Sequence, residues 1–445
     1  MEGFEVISLS QMNKQGAKDM KEMRPGREFA LELDAQDALA SRRELFYIRE
    51  GQIYMDGNSL GLCSKPAERA VLRALEDWKK YGIGIWTGAE TNYFLYFEGI
   101  GAKLARLINA RPEEVTVCAS TTLNIHQCIA TFWRPDERRY KIVVDELNFP
   151  TDRYAVTSQI RQRGMDPDKV LKVIKSRDGK TLDMEDILSA LTEDVSVVLL
   201  PSVLYRSAQL LDMAEITRAA HEKGIVCGFD LCHSIGSVDH DMEAVDCDFA
   251  VWCNYKYLSG GPGATAGLYV NRKHFAKEPG LAGWWGNRND TQFELRPEFE
   301  HAMNAGGWQT GTSPILSMAG VDGALDAYEG ITMAQVRARS LELTRYMMYL
   351  IDTELAGYGF TIGNPREDAV RGGHVALEHA EAVRINEALK AADVIPDFRY
   401  PNVIRLAPSP LYTSFAEVWE FVRRLKEIMD TKAYEKYEDK AGTVA

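Results

Sequence analysis

Gly224-Ile-Val-Cys-Gly-Phe-Asp-Leu-Cys-His233 starts at a glycine, runs apolar and ends at a carboxylate, with a histidine three residues beyond Asp230. It reads as a buried strand over Gly224–Phe229 that delivers Asp230 to its C-terminal end. A second stretch of the same kind follows: Asp248-Phe-Ala-Val-Trp-Cys-Asn-Tyr-Lys256, a strand over Phe249–Trp252 with a lysine just past it. Ser259-Gly-Gly-Pro-Gly263 then makes a glycine-rich turn into a further strand-like run, Ala266–Val270. Upstream, helical patterns at Thr122–Trp133, Thr151–Arg163 and Met213–Lys223 alternate with apolar runs at Lys141–Val144, ending in Asp145, and Val195–Leu200. Strand, helix and strand joined by short links predict βαβ units, hence an α/β fold with a mostly parallel sheet covered on both faces. Ligands of such sheets sit beyond the C-terminal strand ends. Asp230 and Lys256 therefore emerge at one ligand-binding edge.

The pattern changes farther out. Residues 330–357 read as a long helix leaving the sheet. Residues 358–440 alternate again, with strands near Gly373–Leu377 and at Val403–Leu406 and helices from about 380 and from Ser414. This is the pattern of a smaller C-terminal α/β domain. Pro66–Tyr81 reads as a helix with proline near its start, and the polar, helix-prone N-terminus reads as an arm. The expected division is an arm over 1–50 that contributes to the small domain, a large domain over 51–330, and the small domain over 331–445.

The chain has 445 residues, with 52 Lys and Arg against 65 Asp and Glu, a net charge of −13. That balance argues against nucleic acid and against an anionic membrane as partners, since both call for basic surfaces. The most apolar run, Val195–Tyr205, is too short to span a bilayer and holds Ser196, Pro201 and Ser202. The opening Met-Glu-Gly-Phe-Glu has neither a basic start nor an apolar core, so no signal peptide is expected. Seven cysteines without a Cys-x-x-Cys predict free thiols in a reducing compartment, the cytoplasm. Cys227, Cys232, Cys247 and Cys253 sit in apolar surroundings and read as buried thiols rather than metal ligands; no metal is expected.

Gly57-Asn-Ser-Leu-Gly61 matches Gly-x-Ser-x-Gly. One reading makes Ser59 the nucleophile of a serine hydrolase, which also needs a later Asp and His. A glycine-rich turn that contacts a ligand is the plainer reading. Asp178-Gly-Lys-Thr181 fails as a phosphate loop, because Ile174 stands where a glycine is required, and reads as a polar turn. Asp230 and Lys256 have a sharper chemical use. A lysine can form a Schiff base with pyridoxal 5′-phosphate (PLP), and a carboxylate can keep the pyridine nitrogen protonated. His233 could stack on the ring or hold the carboxylate. Singly, a strand-end aspartate is an ordinary turn cap and a lysine an ordinary surface charge.

Seven segments in order carry a resemblance: Gly57–Leu62, Thr122–His126, Asn148–Tyr154, Phe229–His233, Tyr255–Leu258, Gly283–Gly286 and Pro396–Arg399, the last leading into Asn402–Leu406 and Pro410–Tyr412. The chain resembles the kynureninase family, PLP enzymes of fold type I in the aminotransferase class V superfamily, from about 50 to 430. The resemblance implies a seven-stranded, mostly parallel sheet between helices in a large PLP-binding domain. It implies a homodimer with the site at the subunit interface. The implied activity is hydrolytic Cβ–Cγ cleavage of L-kynurenine, with 3-hydroxy-L-kynurenine as a second candidate, to anthranilate or 3-hydroxyanthranilate and L-alanine in tryptophan catabolism and NAD biosynthesis.

By that resemblance Lys256 is the Schiff-base lysine, and Asp230 partners the pyridine nitrogen with His233 beside it. Phe149 stacks on the cofactor ring near Asp152. Thr121 and Thr122 bind the phosphate at a helix N-terminus, with Ser202 a possible further ligand. Tyr255 touches the phosphate and assists proton transfer. Trp284, or Trp285 in an alternative register, reaches the phosphate from the other subunit. Arg405 pairs with the substrate carboxylate, with Ser59 in the same substrate site, and Thr312 faces the substrate ring. Cys232 replaces the family's common alanine. Ile83 and Trp86 stand where animal members carry a histidine, and Trp86 with Thr312 is similar to bacterial members that prefer L-kynurenine. A desulfurase of the same fold type shares the Asp-x-x-His and lysine layout, but needs a mobile catalytic cysteine that no late loop offers.

Overall fold

The computed structural model describes residues 23–440. Seven strands form the main sheet, in the order β2 (Val115–Val117), β8 (Gly267–Val270), β7 (Phe249–Trp252), β6 (Val226–Asp230), β5 (Val195–Pro201), β3 (Lys141–Asp145) and β4 (Leu171–Ile174). From β7 through β4 every neighbouring pair is parallel. Only β8 runs against its neighbours β7 and β2. The reason is the link before it: the glycine turn at 259–263 holds no crossover helix, and a parallel return needs one. The central strands are buried on both faces, and in β5 only Ser196 is not fully buried. This explains their unbroken apolar runs.

Helices complete the crossovers. Those that matter for the site are α3 (Thr121–Phe132) and α4 (Pro150–Gln162), which pack on each other. Ser120 caps α3 by accepting the Leu123 amide, and Pro150 opens α4 without wasting a helical donor. On another side α2 (Lys65–Tyr81) lies along α5 (Ile315–Leu325).

A second apolar core lies apart from the sheet. It gathers Phe29 of α1 (Arg27–Gln36) and Ile53 of β1 (Ile53–Tyr54) with residues from Leu343 to Met429. Its four-stranded sheet is antiparallel, in the order β12 (Asp397–Arg399), β13 (Val403–Leu406), β10 (Val375–Glu378) and β9 (Thr361–Ile362). β1 pairs in parallel with β11 (Val394–Ile395), so residues just after 50 already belong to this core. The helices α6 (Met333–Glu354) and α7 (Phe415–Asp430) each open on a capping box, at Thr332 and Ser414.

All seven cysteines are free. Cys227, Cys232, Cys247 and Cys253 are buried as expected, Cys118 and Cys128 are buried too, and Cys63 is exposed. The turn at 178–181 is built by Asp178, whose Oδ1 accepts the amides of Lys180 and Thr181. Among the described residues no helix is long and apolar enough to cross a membrane. The reading of the N-terminus as lacking a signal peptide falls on residues outside those described.

Candidate active site

The C-terminal edge of the parallel strands collects the expected residues because each strand stops there. β3 ends on Asp145, β6 on Asp230, and β5 on Pro201 with Ser202 next; the loop after β7 carries Tyr255 and Lys256. Lys256 Nζ lies 2.8 Å from His233 Nε2 and 6.0 Å from the centroid of the Phe149 ring. Burial, then the charges of Lys256 and Arg405, hold His233 well below the ordinary imidazole range. The ring is therefore neutral, Nζ donates, and the ring proton sits on Nδ1, which has no partner. Burial alone would lower the Lys256 ammonium. The acidic groups Cys253, Cys232 and Asp230 beside it more than offset this, so the net shift is upward.

Three carboxylates are buried at this edge, two of them, Asp230 and Asp152, facing the lysine. Asp230 Oδ1 accepts the Cys232 amide at 2.7 Å. Burial raises Asp230, opposed mainly by Lys256. Asp152 takes Asn148 Nδ2 at 2.7 Å on Oδ2 and leaves Oδ1 without a partner. It is pushed well above the carboxylate range by burial, then by Asp230 and Asp145. Asp145 is held at about 6 by burial, against the amides of Leu147 and Asn148, and its Oδ2 is also unpartnered. Asp230 and Asp152 are the two that face the Lys256 ammonium, and the upward shifts of Asp152 and Asp145 mark an edge short of positive charge.

The opposite charge preference appears at α3. Its first residues, Thr121 and Thr122, are half-buried, and Thr122 Oγ1 lies 2.7 Å from Thr151 Oγ1. A capped helix start with two hydroxyls beside it suits an anion. Tyr255 is half-buried, and burial, then Cys253 and Cys232, raise its phenol. It is thereby kept as a proton donor. The hydroxyl of Ser202 is fully buried and committed to Ser234 Oγ at 2.7 Å and the Asp230 carbonyl at 3.1 Å.

Arg405 on β13 enters from the small core. Its side chain is fully buried, with Nε 2.6 Å from Asp397 Oδ2, Nη1 2.9 Å from the Tyr205 carbonyl and Nη2 2.9 Å from Ser59 Oγ. Nη2 also contacts Asp397 Oδ2. Ser59 thus sits against a guanidinium, with Asp397 Oδ2 at 3.4 Å and the Asp56 carboxylate as its further polar neighbours. This overturns the serine-hydrolase reading: no imidazole takes the Ser59 proton, and β1 ends at Tyr54, well before α2 begins at Lys65, so no strand-to-helix elbow exists. The glycines of that motif serve contact instead. The Gly61 amide donates to the Tyr255 carbonyl at 2.8 Å, and a Cβ at Gly61 would overlap the Lys256 carbonyl and the Ser259 hydroxyl. Gly61→Ala is expected to displace the Lys256 loop, costing about 1–3 kcal/mol of stability. A fall in both melting temperature and turnover is the result that checks it.

Trp86 and Thr312 meet elsewhere. They line an apolar groove of about 730 Å³ with Trp78, Ile83 and Leu316. Trp86 packs against the buried Trp285 at 5.4 Å, whereas Trp284 is 39% exposed and faces outward. Phe149 meets Tyr205 edge to face at 5.5 Å. Sequence reasoning missed Asp397, Asp56, Tyr205 and His374. Asp397 lies inside the quoted Pro396–Arg399 segment, but nothing in one sequence pairs it with Arg405. His374 follows two glycines and is fully buried, and burial, then Arg405, lowers it to about 3.

The model of the kynureninase C-terminal domain matches residues 336–425. The chain is similar to the kynureninase of Bacillus cereus (strain ZK / E33L), with 54% identity over 95% of this chain and 98% of that protein. It is similar to the kynureninase of Geobacillus thermodenitrificans (strain NG80-2), with 51% identity over 95% and 99%. The apo structure of a cysteine desulfurase from Thermococcus onnurineus NA1 shares the fold, with a TM-score of 0.74 and 18% identity over 93% of this chain and all of that one.

Proposed function

The chain belongs to the kynureninase family, and from that premise we propose that its site cleaves the Cβ–Cγ bond of L-kynurenine with water, releasing anthranilate and L-alanine in tryptophan catabolism. We infer pyridoxal 5′-phosphate as the cofactor. The observation that carries this reading is Lys256 facing the buried Asp230 and Asp152, with Asp145 beside Asp152, a set of acids whose upward shifts mark a shortage of positive charge.

Asp230, with Asp152 near it, would pair with the ring nitrogen. Phe149 would cover a ring face, and the Thr121–Thr122 helix start, with Tyr255, would hold the phosphate. Ser202 would act from beneath by fixing the end of β6. When bound, the cofactor supplies an aldehyde that captures the substrate amine and a ring that withdraws the electrons of the breaking bond. Lys256 Nζ, released from that role, takes the α-proton. The neutral His233 beside Nζ steadies it without competing for charge. Water would add at the γ-carbonyl, so that the acyl fragment departs with its hydroxyl as anthranilate, and Tyr255, its phenol held protonated, would give Cβ the proton that completes alanine's methyl group. Arg405 binds the α-carboxylate with Ser59 alongside. A cysteine desulfurase activity is not favoured, because the whole-chain relatives are kynureninases.

We propose a large PLP-binding domain up to about 330 and a small one over 331–445 joined by the arm 1–50, with the division moved a few residues past 50 because Ile53 and Met55 are buried in the small core; residues 1–22 and 441–445 lie outside those described. Support comes from the separate apolar core that joins Phe29 to the C-terminal helices. A homodimer also belongs to the proposal: Trp78, Ile83 and Leu316 are exposed beside Trp86 and Thr312, and an apolar face of this kind calls for a cover. In the dimer Trp284 and Thr312 would serve the neighbouring site. Ile83→Glu is expected to halve the mass seen in sedimentation and to remove turnover. A fully active monomer would contradict the shared site.

The deciding experiment mixes the purified protein, PLP and L-kynurenine and follows anthranilate fluorescence, with 3-hydroxy-L-kynurenine in parallel. Equal amounts of anthranilate and alanine are expected, with the faster rate on L-kynurenine, in keeping with Trp86 and Thr312. A cofactor-loaded protein that releases neither product moves the function to another PLP reaction.

A further inference from the structure

Arg405 is backed by two carboxylates where one would neutralise it. Asp397 is ion-paired with both Arg405 and Arg399, and its Oδ1 has no partner. Asp56, just past β1, is buried, and its Oδ1 also has no partner. Among the described residues Asp56 makes no ion pair; its polar neighbour is the Ser59 hydroxyl, which also bonds Arg405. The groups facing Asp56 from the packed elements are Arg405, Arg399, Asp397 and the phenols of Tyr54, Tyr257 and Tyr412. Burial raises all three phenols, so they stay neutral.

Charge counting then fixes the behaviour of the cluster. Two guanidiniums and two carboxylates sum to zero when every group is ionised. Such a cluster offers an incoming carboxylate no net attraction in a buried setting. With one carboxylate protonated it carries one positive charge, which an incoming anion neutralises. The proton belongs on Asp56, since Asp397 is the carboxylate paired with both guanidiniums and Asp56 is paired with neither.

We propose that Asp56 is the proton-carrying member of the substrate-carboxylate site, so that the α-carboxylate binds at Arg405 together with one proton on Asp56. This rests on the reading of Arg405 given above. Burial first, and Asp397 second, already raise Asp56 to about 7 in the free site. An arriving anion raises it further. Affinity is therefore complete below the free-site pKa and falls about tenfold per pH unit above it, until the pKa of the occupied site is reached.

The test measures KM and kcat of the holoenzyme for L-kynurenine between about pH 6 and pH 9. The wild-type KM is expected to climb above neutrality, and the KM of Asp56→Asn, which keeps the shape but cannot ionise, is expected to stay flat. An equal climb in Asp56→Asn overturns the proposal. A second measurement needs no variant: calorimetric titration of the wild-type holoenzyme with β-benzoylpropionate, which has the carboxylate but no amine, in two buffers of different ionisation enthalpy. Uptake of about half a proton per site near pH 7 is expected. Binding without uptake overturns the proton on Asp56 but leaves Arg405 in place. Undiminished binding of β-benzoylpropionate by Arg405→Gln overturns the carboxylate reading itself.

Discussion

Lys256→Ala is expected to lower kcat for L-kynurenine by about 10³-fold or more, because the residue proposed as both covalent anchor and proton carrier is lost. The geometry leaves no substitute. The nearest basic group is His233, 2.8 Å away, and burial keeps it neutral with a depressed proton affinity. Borohydride treatment followed by mass spectrometry checks the assignment directly. It should fix the cofactor covalently to the wild type and not to the variant. The holding groups, Asp230, Asp152 and the start of α3, are untouched, so the variant should still retain PLP by non-covalent contact. A variant that is still labelled by borohydride at unchanged yield would place the anchor on another lysine.

Arg405→Gln has the second largest effect, and it acts on binding rather than on cofactor retention. KM should rise about 100-fold or more, because a buried, charge-assisted carboxylate pair is removed. Stability should fall as well. Asp397 is fully buried and keeps only Arg399, 3.1 Å away, so the loss should be a part of the about 3–5 kcal/mol that a buried charge costs when it has no partner left. The double variant Arg405→Gln with Asp397→Asn separates the two effects. It should recover most of the melting temperature while KM stays high. Recovery of KM in the double variant would mean that Arg405 merely neutralises Asp397 and does not meet the substrate. Bound PLP should be retained throughout, since Asp230 and Lys256 lie on the other core.

Both predictions begin from residues visible in the sequence, and the reason is locality. Asp230 and Lys256 each follow a strand within a few residues, so the strand pattern alone carries them to the same edge of a parallel sheet. Thr121 and Thr122 open a helix whose cap, Ser120, is their neighbour. Phe149 and Asp152 flank a proline that starts the next helix. The resemblance across the chain then supplied the cofactor and the reaction, which no local pattern could have given.

The sequence by itself therefore determined the sheet, its ligand edge, the lysine and its carboxylate, since each depends on contacts a few residues long. Only the tertiary structure decided what surrounds Arg405. Its partner Asp397 faces it through antiparallel register between β12 and β13, while Ser59 and Asp56 arrive from the far end of the chain through the pairing of β1 with β11. The same holds for Trp86 on Trp285, and for Gly61 against the Lys256 loop. Register and domain packing are set by the sum of many weak, distant contacts. No spacing along one strand of sequence encodes which buried charges will face each other.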